Sequence, residues 1–153
     1  MAILFLDSSA VVKRYVAEAG TGWVIGLTTP SAGNVIHISV MTGAEVIAAF
    51  ARRRQIGSMT PDDVERAIAE FYEDWAVLYE LVRADREVVN RAMLLARRHG
   101  LRGYDSVQLA SAIEVNALAK QATVAFRFIS ADEDLNVAAQ AEGLQTENPN
   151  LHP

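Results

Sequence analysis

Acidic residues stand at four places in this chain where an apolar run gives way to a helix start: Asp7, Glu45, Asp105 and Asp132, with Asp134 two positions further on. Carboxylates gathered at one point repel strongly unless they take up protons or bind cations. An oxygen-only ligand set of this kind suits Mg²⁺ or Mn²⁺, which keep several waters and are held by a few carboxylates plus substrate phosphate. Such a site activates water, neutralises a phosphodiester and stabilises the leaving oxygen. That is phosphodiester hydrolysis with no histidine or cysteine in the mechanism. Each acid also has a plainer reading. Asp7 is a natural helix N-cap. Glu45 is a dipole partner in the first turns of its helix. Asp105, with Gln108 three residues on, and Ser130-Ala-Asp-Glu both read as capping boxes. Capping explains why acids start helices, but it does not require four helix starts to share one pocket.

What could bring them together is a parallel sheet. Ile3 to Leu6 is a continuous apolar run, too short for a helix, as expected of a strand buried on both faces. In such sheets the ligand site lies beyond the carboxyl ends of the strands. Val35–Val40, Val77–Val82 and Val124–Ile129 read as further strands, with one short edge strand in the tail. Between them the sequence predicts a helix after Asp7 through Val16, closed by Gly20 and Gly22. A short helix over Trp23–Leu27 follows, then long helices over Thr42–Arg54 and from Thr60-Pro61-Asp62-Asp63 to about Asp74. Asp85 opens another that Gly100 ends, and Asp105 and Ser130 precede the last two. This alternation implies an α/β/α sandwich with a central, mostly parallel sheet of four to five strands. Residues 1–147 form a single domain in this reading, and residues 148–153 are a tail that frays.

The chain has 153 residues, 51% hydrophobic and 22% charged, which suits a packed domain and excludes a disordered one. It has no cysteine, so disulfide scaffolds and thiolate metal sites are excluded. The opening apolar run lacks the basic flank of a signal peptide, and no segment approaches the roughly 18 apolar residues of a membrane span. A cytoplasmic protein is the expectation. Nineteen acidic residues against 14 basic give a net charge of −5, which argues against a protein that grips nucleic acid by charge alone. It is compatible with an enzyme whose acids are neutralised by bound cations. His37, His99 and His152 show no metal-ligand spacing. GxxxxGK[ST] and GxSxG are both absent, so triphosphate-binding and serine-hydrolase readings lack their parts. Ser8 and Ser9 have no adjacent base and read as turn-satisfying hydroxyls.

In chain order, FLDSSAVVKRY, SVMTGAEVIAAF, LRGYDSVQLASA and FISADEDLNVAA resemble the four acidic motifs of the PIN-domain ribonucleases. More narrowly they resemble the VapC-type toxins of bacterial and archaeal toxin–antitoxin pairs. The resemblance spans nearly the whole chain. It implies a PIN-like fold and a metal-dependent endoribonuclease whose catalytic acids fall on Asp7, Glu45, Asp105 and Asp132, ligating one or two Mg²⁺ or Mn²⁺ ions. Asp134 matches an extra acid of some members. Ser8 and Ser130 match polar positions that support the acids or a ligated water. Ser106 departs from the small apolar residue usual after the third acid. The resemblance further implies a homodimer and a cognate antitoxin that wraps the toxin and blocks its site. Phe50, Phe71, Tyr72 and Trp75 are candidates for the antitoxin groove, with ordinary core the competing reading. Lys13, Arg14, Arg102 and the Arg52–Arg54 cluster are candidates for contacts to RNA phosphates.

Two other functional classes fit the same acids: a metal-binding regulatory or interaction module without catalysis, and a DNA-directed metallonuclease of the same fold. A phospho-receiver domain, the best-defined of the former, requires adjacent acids after the first strand, an aspartate after the third and a late strand-end lysine. This chain offers only the single Asp7, no aspartate at the end of Val77–Val82, and Lys120 away from any strand end.

Overall fold

A computed structural model describes residues 1–153. In chain order the strands are β1 (Ile3–Leu6), β2 (Val35–Ser39), β3 (Tyr79–Val82), β4 (Phe126–Ile129) and β5 (Thr146–Glu147). The helices are α1 (Ser8–Val12), α2 (Thr21–Thr28), α3 (Thr42–Gln55), α4 (Pro61–Val77), α5 (Arg86–His99), α6 (Gly103–Gln121) and α7 (Glu133–Ala141). The five strands form one parallel sheet in the order β3-β2-β1-β4-β5.

Alternation along β1 builds two cores from one strand. Leu4 and Leu6 join the apolar cluster of α1 to α4 on one face, with Val46, Phe50, Val64 and Phe71. Phe5 joins the cluster of α5 to α7 on the other, with Leu95, Leu109, Phe128 and Leu135. The result is an α/β/α sandwich, and both faces of the sheet are covered, as an all-parallel sheet requires.

The strand order also fixes where a site can form. The chain steps outward from β1 to β2 to β3, then returns across the sheet to lay β4 against the free side of β1. A crevice opens where the strand order reverses, at the carboxyl ends of β1 and β4. Leu6 pairs with Ile129, so Asp7 and Ser130 follow side by side at that edge.

Several local expectations need correction. α1 ends at Val12 and gives way to turns, shorter than the expected helix through Val16. α4 runs to Val77 instead of about Asp74, which delays β3 to Tyr79. Thr60 and Asp63 do form the expected reciprocal capping box, and Asp85 caps α5. The tail does not fray. Pro149–Leu151 form a 3₁₀ turn, Pro149 is buried, and the His152 ring stacks flat on Trp23 with centroids 4.1 Å apart and planes 1° apart. The opposite wall of that contact is Gly20, at φ +85°, whose missing side chain leaves room for the Pro149 carbonyl. No helix is long and apolar enough to cross a membrane.

Candidate active site at the carboxyl edge of the sheet

Asp7 is the most constrained acid in the molecule. It caps α1, accepting from the Ala10 amide at 2.9 Å, and Oδ1 also accepts from Ser9 Oγ at 2.7 Å. Its second oxygen accepts from Ser130 Oγ, 2.7 Å away across the β1–β4 crevice. Ser9 and Ser130 are themselves fixed. Ser9 Oγ accepts from the Ala131 amide at 2.9 Å, and Ser130 Oγ accepts from the Asp132 amide at 3.0 Å. Asn136 of α7 donates to the Ser130 carbonyl at 2.8 Å. Burial pushes the Asp7 carboxyl up to about 6. The donors from Ser9, Ser130 and Ala10 pull the other way, and the charge of Asp132 adds to the rise.

Glu45 lies in the first turns of α3 and is held from α6. Its Oε1 accepts from Gln108 Nε2 at 2.7 Å. The same nitrogen lies 2.9 Å from Ser8 Oγ and 2.9 Å from Thr42 Oγ1, so two N–H groups are shared among three acceptors. Gln108 is buried and ties β1's exit, the start of α3 and α6 into one polar knot. Neither Gln108 nor Thr42 was expected at the site from the sequence. The available signal was a glutamine on the face of α6 that otherwise carries Leu109, Ala112 and Val115.

The other two acids converge on Arg102. Its Nε donates to Asp105 Oδ2 at 3.0 Å, and its terminal nitrogen lies 4.0 Å from Asp132 Oδ2. That hydrogen bond, with the charges of Asp105, Asp132 and Glu45, holds the guanidinium above its ordinary value. α6 begins at Gly103, with Arg102 at its N-cap and Asp105 inside the first turn. The expected capping box over Asp105 and Gln108 is therefore wrong, and both side chains are free of capping. Ser130 likewise supports Asp7, while Asp132 is the true cap of α7, accepting from the Leu135 amide at 3.0 Å.

The acids Asp7, Glu45, Asp105 and Asp132 thus lie around one rim, linked by the Asp7–Asp132 repulsion and by Arg102. With Glu45 turned to Gln108 and Asp105 to Arg102, no group of three or more acids or histidines is drawn close enough to hold a metal ion as it stands. The donor chemistry fits one nonetheless. It is all oxygen, it includes a buried carboxylate that resists ionising alone, and its acids already draw a positive charge, Arg102, against Asp105 and Asp132. Asp134 is exposed on α7 and makes no hydrogen bond or ion pair, so the structure does not join it to the others.

Lys13 and Arg14 do not reach this rim as free cations. Lys13 is buried, with Nζ 2.8 Å from the Ala19 carbonyl and 3.2 Å from Glu18. Arg14 pairs with Asp74 at 2.7 Å and donates to Thr28 at 2.7 Å. Both charges are consumed inside the fold, which corrects their reading as phosphate contacts. Phe50 and Phe71 are core, whereas Tyr72 is exposed and Trp75 packs against the core edge.

Gln108 supplies a first prediction. Removing a hydrogen-bond partner of a metal-ligating carboxylate typically costs about 10–100-fold in metal affinity. Gln108→Leu is expected to weaken Mn²⁺ binding by about that range, measured by calorimetric titration of the folded variant. Unchanged affinity would mean that Glu45 is not a ligand.

Comparison with known proteins adds an independent finding. The PIN domain family model matches residues 4–141. Ribonuclease VapC45 of Mycobacterium tuberculosis is 31% identical over 115 residues, covering 75% of this chain and 78% of that protein. Two solved structures share the fold. VapBC2 from Rickettsia felis, bound to a DNA fragment from its promoter, superposes with a TM-score of 0.62 at 15% identity, over 95% of this chain and 98% of that one. M. tuberculosis VapC20, described as a Sarcin-Ricin loop cleaving toxin, gives 0.61 at 15% identity, over 98% and 99%.

Proposed function

We propose, because this chain belongs to the PIN-domain family and within it to the VapC-type ribonucleases, that it is a Mg²⁺- or Mn²⁺-dependent endoribonuclease. It hydrolyses RNA phosphodiesters as the toxin of a toxin–antitoxin pair, acting in the cytoplasm as a homodimer restrained by a cognate antitoxin. The observation that carries the reading is the gathering of acids from four separate stretches of sequence at the one edge where an α/β sheet binds ligands.

Asp7, Glu45, Asp105 and Asp132 would hold the dication, with Asp134 the weakest candidate. A bound Mg²⁺ or Mn²⁺ supplies charge against the phosphodiester and lowers the pKa of a water. The chain's own residues prepare the place. Ser9, Ser130 and the Ala10 amide fix both oxygens of Asp7, so its carboxylate loses little freedom when it binds. Gln108 orients Glu45, and Ser8 shares that nitrogen. Arg102 neutralises Asp105 in the metal-free protein and, once released, stands beside the site with a guanidinium suited to phosphate.

The decisive experiment is cleavage of a pool of structured RNA in EDTA, Mg²⁺ or Mn²⁺ by the parent chain and by Asp105→Asn. The substitution keeps size and removes a charge, so the fold is retained. Metal-dependent cleavage that falls at least about a hundredfold in the variant is expected, since even indirect support of a ligand is worth up to that much. Cleavage of single-stranded DNA in place of RNA would move the substrate class. Asp105-dependent Mn²⁺ binding without cleavage of either would favour a metal-binding module, and no metal binding at all would leave the four acids as helix-start residues only.

A further inference from the structure

A cleft of about 330 Å³ opens off the carboxylate rim, sharing Glu45, Arg102 and Asp105 with it and extending to Arg52 and Tyr104, which the chemistry described above does not use. One wall is a single face of α3, where Glu45, Ala48, Ala49 and Arg52 fall at i, i+3, i+4 and i+7. The other is the start of α6, with Arg102, Tyr104 and Asp105. Its volume lies within the range of about 300–1,000 Å³ usual for ligand clefts. Two alanines along the α3 wall leave the space open.

Tyr104 stands out among the four tyrosines. Tyr15 and Tyr79 share a hydrogen bond between their hydroxyls, and both sit against the Phe71 ring. Tyr72 leans on Phe71. Tyr104 has neither a ring partner nor a hydroxyl hydrogen bond, and 56% of it is exposed. It lines the cleft together with Arg52 and Arg102. Arg102 is 83% exposed, and Arg52, unlike Arg53 beside it, pairs with no carboxylate.

An unused aromatic ring sharing a cleft with cations suits a single-stranded nucleic acid, because bases stack on the ring while the cations follow the phosphates. We propose that this cleft is a nucleotide subsite, in which Tyr104 stacks the base flanking the scissile phosphate and Arg52 contacts the neighbouring phosphate. The inference rests on the ribonuclease reading. Tyr104 and Asp105 line the same cleft, so a base stacked there adjoins the bond to be cut. Arg102 and Asp105 are paired with each other and Glu45 with Gln108, and Ala48 and Ala49 offer no side-chain donor or acceptor to a base edge. Selection therefore comes from stacking area and favours a purine.

The test is binding of 5′-fluorescein-labelled oligo(A) and oligo(U) to the intact metal-free protein in EDTA at low salt, read by anisotropy. Tyr104→Ala is expected to weaken oligo(A) binding about tenfold, within the effect of losing one stacked base. Oligo(U) should weaken less, and Tyr104→Phe should match the parent. Arg52→Gln should weaken both strands alike and reduce the slope of log affinity against log salt by about 0.7, the single-strand value for one phosphate. If the parent binds RNA and Tyr104→Ala binds equally well, the subsite is refuted while the ribonuclease reading stands. If the parent binds neither strand and cleaves no RNA, both fall. Tyr104 also borders an apolar groove with Met41, Val89, Met93 and Val107. A change of oligomeric state in Tyr104→Ala, seen by light scattering, would assign the ring to a protein contact and overturn the proposal.

Discussion

Asp7→Asn is expected to give a protein that no longer cleaves RNA and that, free of metal, resists denaturant better than its parent at pH 7.5. The loss of cleavage follows from removing the most rigidly held carboxylate of the proposed site. The gain in stability follows from burial, which raises the Asp7 carboxyl from 3.8 to about 6. A raised value means that the folded state binds the proton more tightly than the unfolded chain. Ionised Asp7 therefore costs stability, fully above pH about 6, and the cost disappears as pH falls through about 4. A shift of this size corresponds to about 3 kcal/mol. Asparagine keeps the acceptor for the Ala10 amide and carries no charge. Urea titrations of both proteins in EDTA should show the variant ahead by up to about 3 kcal/mol at pH 7.5 and level with the parent near pH 4. Saturating Mn²⁺ should narrow or reverse the difference, since a ligand that binds only the folded parent stabilises it. A variant less stable than the parent at every pH would show that the hydrogen bonds to the carboxylate outweigh its desolvation.

Gly20→Ala is the substitution expected to harm the fold most, by about 2–4 kcal/mol. A left-handed backbone costs an ordinary residue about 1–2 kcal/mol. Here the new Cβ also collides with the backbone carbonyl of Pro149, which no rotamer change relieves. The tail would have to lift, and with it the Trp23–His152 stack. Gly33→Ala is the internal control. Its φ is +66° but a Cβ there meets nothing within 4 Å, so only the backbone cost applies. Equal urea midpoints for the two variants would show that the tail is not held through Gly20.

The sheet edge was legible because the signal at each strand is local. An apolar run ending in Asp7 or Ser130 specifies both a strand and its exit, and a parallel sheet does the rest. At Asp105 the capping expectation was mistaken. Gly103 and Tyr104 are poor helix formers, which hid the true start of α6 and made Asp105 look like a cap. What the sequence concealed depends on partners that only the fold places, most of them far along the chain. Lys13 and Arg14 look like free cations until Glu18 and Asp74 are placed beside them. Gln108 looks like a cap partner until Thr42 and Glu45 arrive from 63 or more residues away. The tail reads as loose because it is polar and contains proline. Its anchor, Gly20 with Trp23, lies at the other end of the chain.

The bond between Ser130 and Asp7 spans 123 positions of sequence, and it closes across strands that are neighbours in space yet nearly opposite in order of synthesis. At about 5–20 residues per second, a ribosome needs about 6–25 s after making Asp7 before Ser130 exists at all. Until then β1 lacks its partner on one side, Asp7 lacks the hydroxyl on its second oxygen, and Asp132 has not been made. A nascent chain therefore carries no complete acidic rim, however far its earlier helices have folded. For the cleavage proposed here, translation imposes its own delay: no cut is possible until the chain has been made through Asp132.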